Sequence, residues 1–230
     1  SVAAPVRDRI AGADVRGSSQ TSTSLHLRLL PDAKVLRLGL EAKGDVRSRT
    51  FSDSWPARVR NLSLMEYETR KLIIINRYGL HTWPAEATVD GNNRLVDVDS
   101  QFELVPIVGP IVEGMARDQH REKRSTALAQ VKRKVAAQAR ARMDRETDAK
   151  LETLERRLKT AVHTRLEALA LAAETVDMHT TQPRAVVRVR MANENQLAAF
   201  TPRPSAPSDS LASFQLHESA LNNAARGLRL

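Results

Sequence analysis

Neither glycine nor proline occurs between Met115 and Gln182, and the chain there is rich in Ala, Leu, Arg, Lys and Glu. Every residue type in that group favours helix. Within the span, Leu128, Val131, Val135, Ala139, Met143, Thr147, Leu151, Leu154, Leu158, Val162, Leu166 and Leu169 recur in steps of three and four. Steps of that size place side chains on one face of a helix. Their mean spacing is about 3.7 residues, longer than the 3.5 of a left-handed coiled coil, so the stripe suits a nearly straight helix lying on a sheet. The predicted helix covers residues 111–172. Unbroken, it would reach on the order of 90 Å, longer than a compact domain of this size is wide. A bend or break is therefore expected, and Asp144–Asp148 is the expected place because Asp and Thr compete for backbone hydrogen bonds.

The same span holds most of the chain's net positive charge. Formal net charge is +9, and Arg121–Arg145 carries nine Lys and Arg against only Glu122 and Asp144. A solvated helix face is the simplest account. Lys132, Arg133, Lys134, Arg140 and Arg142 are the candidate face for an anionic partner, such as an anionic membrane surface. Nucleic acid is the least supported partner, since aromatic residues make up 3% of the chain and no reader motif is present. No run of apolar residues is long enough to span a membrane, and no charged-then-apolar leader opens the chain. The 230 residues include no cysteine, which excludes disulfides, thiol nucleophiles and Cys-ligated metal.

On either side of the helix the period changes to two, the mark of half-buried strands. Leu25, Leu27 and Leu29 alternate, Pro31–Lys34 has turn chemistry, and Leu36, Leu38, Leu40, Ala42 and Val46 then share a face opposite Arg37, Glu41, Lys43, Asp45 and Arg47. Residues 58–78 read as two strands or one long bent one, with Ile73-Ile74-Ile75 apolar enough for burial on both faces. Ala85–Val89 and Leu95–Leu104 are predicted to form a hairpin around Asp90-Gly91-Asn92-Asn93. Residues 18–104 are thus an expected antiparallel meander, and Val105–Met115 a turn into the helix. Beyond the helix, residues 175–216 are expected to hold further strands: a hairpin around Thr181-Gln182-Pro183, a Pro/Ser-rich loop over Thr201–Ser210, and a short strand through Ala212, Phe214 and Leu216. Residues 218–228 return to helical spacing. The expected architecture is one α+β domain over 1–230, a piece of a longer chain, with a long curved antiparallel sheet packed on or wrapped around one very long helix.

No catalytic residue emerges. The six histidines fall on different elements without metal-ligand spacing, and no Gly-any-Ser-any-Gly elbow is present. Gly109 and Gly114 lack the Lys-Ser/Thr of a phosphate loop. Asp90, Asp97, Asp99 and Glu103 gather near one hairpin without calcium-loop spacing and read as an acidic strand face. No cofactor, metal or enzymatic activity is expected.

The segments Val6–Gly12, Ser18–Ser24, Leu29-Leu30-Pro31-Asp32 and Pro84-Ala85-Glu86-Ala87, with Thr201–Arg203, Asp209–Leu211 and His217–Asn223, resemble a group of uncharacterised exported proteins of planctomycete bacteria. That resemblance implies a periplasmic or envelope location. Long strands followed by a long helix and Ser219-Ala220-Leu221-Asn222 resemble, in architecture, the tubular lipid-binding (TULIP) superfamily, where a curved sheet wraps a long helix. This second resemblance implies an elongated apolar groove between helix and sheet. Leu36, Leu38 and Leu40 would form one wall, and Leu151, Leu154, Leu158, Val162 and Leu166 the other, around a lipid or other apolar ligand. Two questions stand open: whether that seam is a groove or a filled core, and whether the chain is instead a protein-interaction module of the envelope.

Overall fold

The computed structural model describes residues 1–54, 57–100, 108–169, 171–192, 195–198, 207 and 209–227. Its strands are β1 (Val2–Ile10), β2 (Ala13–Leu29), β3 (Leu36–Ser54), β4 (Ala57–Asn76), β5 (Gly79–Thr82) and β6 (Glu86–Ser100), and they form one strongly curled antiparallel sheet. Then come α1 (Val108–Leu158), a π-helical turn (Lys159–His163) and α2 (Thr164–Ala168). A two-stranded sheet of β7 (Ala172–Thr180) and β8 (Ala185–Ala192) follows, and α3 (Glu218–Gly227) comes last. The α+β class with a curled antiparallel sheet and a long helix is as expected. The chain divides into two compact units: residues 1–28, 39–72 and 83–146 form the first, and residues 29–38, 73–82 and 147–230 the second.

In the first unit β1 pairs with β2 from Val2↔Thr21 to Ile10↔Ala13. The opening residues therefore form a strand that the sequence does not announce, because Val2–Ile10 lacks alternation and nearly all of it is exposed. Ala11 and Gly12 turn the chain with φ of 49° and 85°, the left-handed geometry of a two-residue hairpin loop. β4 pairs with β6 from Ala57↔Ser100 to Arg70↔Glu86, with a register shift between Arg60 and Asn61. The hairpin expected at Asp90–Asn93 is thus absent, and those residues continue β6. Gly91, at φ 142°, passes so close to the Leu64 carbonyl and the Met65 side chain that a Cβ would collide with both. A glycine there permits a close backbone approach instead of a turn.

Alternation on β4 runs opposite to the simplest apolar reading. Val59, Ser63, Met65, Thr69 and Lys71 are buried, while Leu62 and Leu64 face solvent. The buried face of β4 meets α1: Ala42, Ala85 and Met143 form the core cluster, with Leu40 packed against it. Gly44 leaves room for the Tyr67 ring, whose hydroxyl reaches the Thr23 hydroxyl at 2.6 Å. The acidic strand face is explained by cross-strand pairing, since Arg58 lies opposite Asp99 and Arg60 opposite Asp97.

In the second unit, β5 pairs with β4 from Ile73↔Thr82 to Asn76↔Gly79, and Ile73 is buried. The expected turn at Pro31–Lys34 forms, with the Lys34 amide donating to Asp32 Oδ1. Asp32 and Thr180 exchange backbone hydrogen bonds of 2.8 Å, which joins the turn to the end of β7. α3 packs through Asn223, whose side-chain amide donates to the Met191 and Leu197 carbonyls. Residues 212–217 form no strand, and Phe214 is 87% exposed. Alternation alone does not make a strand where no neighbouring strand supplies hydrogen bonds. The loop expected over 201–206 lies outside the described residues.

Candidate functional site

The seam between α1 and the sheet is the one feature that the sequence nominated for a ligand. In the first unit it is packed around Met143. From Val131 to Met143 the stripe advances in steps of four; each overshoots a full turn by about 40°, so the contact line winds roughly 120° around the helix. A winding contact line suits a twisted sheet better than a flat one. Val131, Val135 and Ala139 are half-buried and Met143 is 7% exposed.

Beside Met143 sits an ion pair whose lysine is buried. Lys71 is on the helix-facing side of β4 with its side chain 2% exposed, and its Nζ donates to Asp144 Oδ1 at 2.6 Å. The Ala85 amide donates to the same oxygen at 2.9 Å. Asp144 thus accepts from β4 and from the residue preceding β6. This arrangement corrects the expected break at Asp144–Asp148. α1 runs unbroken from Val108 to Leu158, because the polar side chains that could have attacked the helix backbone bond to the sheet. Asp148 accepts from the Thr82 hydroxyl at 3.2 Å, and Thr147 is buried. The irregularity comes later, at Lys159–His163, as the π-helical turn.

Ser63, Thr69 and Lys71 give the first unit's wall a polar lining, and Ser63 Oγ donates to Asn93 Oδ1. This part of the seam is partly polar. In the second unit part of the stripe is exposed. Leu151 is half-buried, and Leu154 and Leu158 are 45% and 53% exposed. Of the other nominated groove residues, Leu36 is buried, Leu38, Leu40 and Leu166 are half-buried, and the Val162 side chain lies outside the described residues. Leu40 belongs to the first unit's core; Leu36, Leu38, Leu151, Leu154, Leu158 and Leu166 all belong to the second unit.

The nominated basic face is largely spent on the protein itself. Lys132 Nζ donates to Asp90 at 2.7 Å. Lys134 donates to Asp8 and to the Arg9 carbonyl, and Gln130 Oε1 accepts from the Ala11 amide at 2.7 Å. These contacts tie α1 to the β1–β2 hairpin and to β6. Hydrogen bonding from Lys134 holds the Asp8 carboxyl below its ordinary value, and hydrogen bonding from Lys132 does the same for Asp90. Arg142 pairs with Glu146 one helical turn on. Arg133 and Arg140 are exposed.

On the opposite side of the sheet, Arg28, Glu41, Lys43, Glu68 and Arg70 form a ladder of ion pairs across β2, β3 and β4. It depresses Glu68 and raises Arg70, mainly through their mutual hydrogen bond. No group of three or more His, Cys, Asp or Glu suited to a metal exists among the described residues. Among those residues, too, no helix is long and apolar enough to cross a membrane.

Sequence reasoning did not single out Lys71. The available signal was a lysine opening an isoleucine-rich strand, two residues after Thr69 on the face shared with Met65.

No protein-family model matches the chain, and no curated protein matches it in sequence. Among solved structures it is similar to a crystal structure of lipopolysaccharide binding protein, with a TM-score of 0.24 and 13% identity over 92% of this chain. The chain spans about half the length of that protein, 48%.

Proposed function

We propose that the protein is a non-enzymatic binder of a lipid or another apolar ligand, held against the uncovered part of the helix stripe in the second unit. The carrying observation is that Leu154 and Leu158, in register with the buried Met143 and Thr147, are about half exposed. Exposing two leucines on a helix forgoes the stabilisation of roughly 1.5–3 kcal/mol that full burial of each would give. An acyl chain lying along them would recover part of it. Leu36 and Leu38, which belong to the same unit, are the sheet residues nominated as the opposite wall. The envelope setting of this reading rests on the sequence resemblance alone.

Native mass spectrometry of the purified chain, followed by organic extraction, tests it. The expected result is a co-purifying apolar species that is lost in a Leu154→Asp/Leu158→Asp variant whose circular dichroism is unchanged. A ligand-free mass, with no uptake of added phospholipid or fatty acid, would sink the proposal.

A further inference from the structure

Charges around the exposed leucines of the second unit are arranged differently from those in the first, where Lys132 and Lys134 are bonded to Asp90 and Asp8. At about 100° per residue, Leu154 and Leu158 lie about 40° apart on α1, with Glu155 and Asp148 about 100° and 120° from Leu154 to one side. That side meets the β4–β5 hairpin: the Thr82 hydroxyl donates to Asp148, and a Cβ at Gly79 would stand 3.5 Å from Glu155 Oε1. Glu155 is also paired with Lys159 at 2.9 Å, so both carboxylates on this flank are bonded. Lys150 and Arg157 lie about 40° and 60° from Leu154 on the other side. Both are exposed, and neither has an ion-pair or hydrogen-bond partner among the described residues. The remaining carboxylate of this stretch, Glu152, lies about 160° from Leu154 and so on the opposite face.

Bases in the last turn of a helix ordinarily complement its dipole. Lys150 and Arg157 are not in that position, because helical backbone continues from Leu158 through the π-helical turn to Ala168. We infer that the ligand is an anionic amphiphile, its hydrocarbon along Leu154 and Leu158 and its carboxylate or phosphate held by Lys150 and Arg157. The inference rests on the reading that these leucines hold an apolar ligand, and it adds the class of that ligand. Two turns of helix separate the two cations, roughly 10 Å along the axis, and long flexible side chains span that distance to one head group. An ammonium supplies a point charge and a guanidinium a planar fork, and both make charge-assisted hydrogen bonds to carboxylate and phosphate oxygens. On the hairpin side Arg77 adds a third positive charge. Its guanidinium stacks over the Tyr78 ring at 4.6 Å and has no carboxylate partner among the described residues. A neutral lipid would use none of these cations.

Dodecyl phosphate, dodecanoate and dodecanol share one hydrocarbon tail and differ at the head, which separates this inference from the reading beneath it. Titration calorimetry of the chain, stripped of co-purifying lipid, is expected to show both anions binding at least about tenfold more tightly than the alcohol. That preference should shrink with added salt. It should disappear in Lys150→Gln/Arg157→Gln, with an unchanged circular dichroism spectrum and dodecanol binding as in the parent. The tighter of the two anions identifies the head group as phosphate or carboxylate. Equal affinity for all three probes in the parent would overturn the inference and leave the apolar site standing. An anion preference retained in the double variant would overturn it too, since the head group would then be held elsewhere. Binding of none of the three would sink the apolar site and the inference with it.

Discussion

Met143 and Leu154 belong to the same stripe of the same helix, yet the first is 7% exposed and the second 45%. Around Met143 the stripe meets Ala42 and Ala85, and the adjacent Asp144 is gripped by Lys71 and by the Ala85 amide. At Leu154 and Leu158 the same periodicity meets solvent. Periodicity states which side chains share a face, whereas burial also requires a partner surface of matching shape and polarity.

The largest effect should come from the ion pair. Asp144→Ala removes the carboxylate beside the buried Lys71 ammonium and an acceptor from the Ala85 amide, so a loss of about 3–5 kcal/mol is expected by chemical denaturation. Replacing both partners with apolar residues, Lys71→Met with Asp144→Leu, should restore most of that loss, because a buried pair exchanged for packed hydrocarbon is often near neutral. If Asp144→Ala proved no worse than a surface substitution, the packing around Met143 would owe nothing to this pair.

The second prediction sets the two ends of the stripe against each other. Met143→Ala empties a packed position and should cost about 2–5 kcal/mol, while Leu154→Ala and Leu158→Ala should fall within about 0.5 kcal/mol of the parent. A large loss at Leu154 would show that something covers it in solution. If lipid extraction abolished that loss, the cover would be the ligand itself.

Much of this fold was legible because its signals were local. A long helix within 111–172, the β7–β8 hairpin and the last helix follow from period and breaker placement, although α1 begins at Val108, inside the expected turn Val105–Met115, and gives way to the π-helical turn at Lys159. Long-range pairing decided the rest. Asp-Gly-Asn-Asn is a turn signal only where no longer ladder competes, and β4 offers β6 partners from Ala57 to Arg70. Val2–Ile10 becomes a strand because β2 pairs with it along its whole length, although its own pattern is weak. The expected break at Asp144–Asp148 failed for a related reason: Lys71, Ala85 and Thr82 give those side chains better partners than the helix backbone. Of the nominated site residues, Leu154 and Leu158 can be named from the sequence, but their exposure cannot, since exposure depends on what the sheet leaves uncovered.

The smallest expected effect concerns the ties between the front half of α1 and the sheet. Asp8 has a folded-state pKa below its ordinary 3.8, chiefly through the hydrogen bond from Lys134. A depressed carboxylate contributes stability that is fully present above the ordinary value and is lost as pH falls through the folded-state value. The tie should therefore hold at neutral and mildly acidic pH and loosen only below about pH 4. Both partners are more than a third exposed, so solvent screening keeps the contribution small. Carboxyl NMR should show Asp8 titrating below its ordinary range in the parent and within it in Lys134→Met. Exchange of the Ala11 amide, which is bonded to Gln130 on the same stretch of helix, should quicken in acid in the parent and be less sensitive to acid in the variant. Unchanged titration of Asp8 in Lys134→Met would mean that the Lys134–Asp8 contact does not tie the hairpin to the helix. The contrast between the two ends of the helix would then rest on the Met143 core and the Lys71–Asp144 pair.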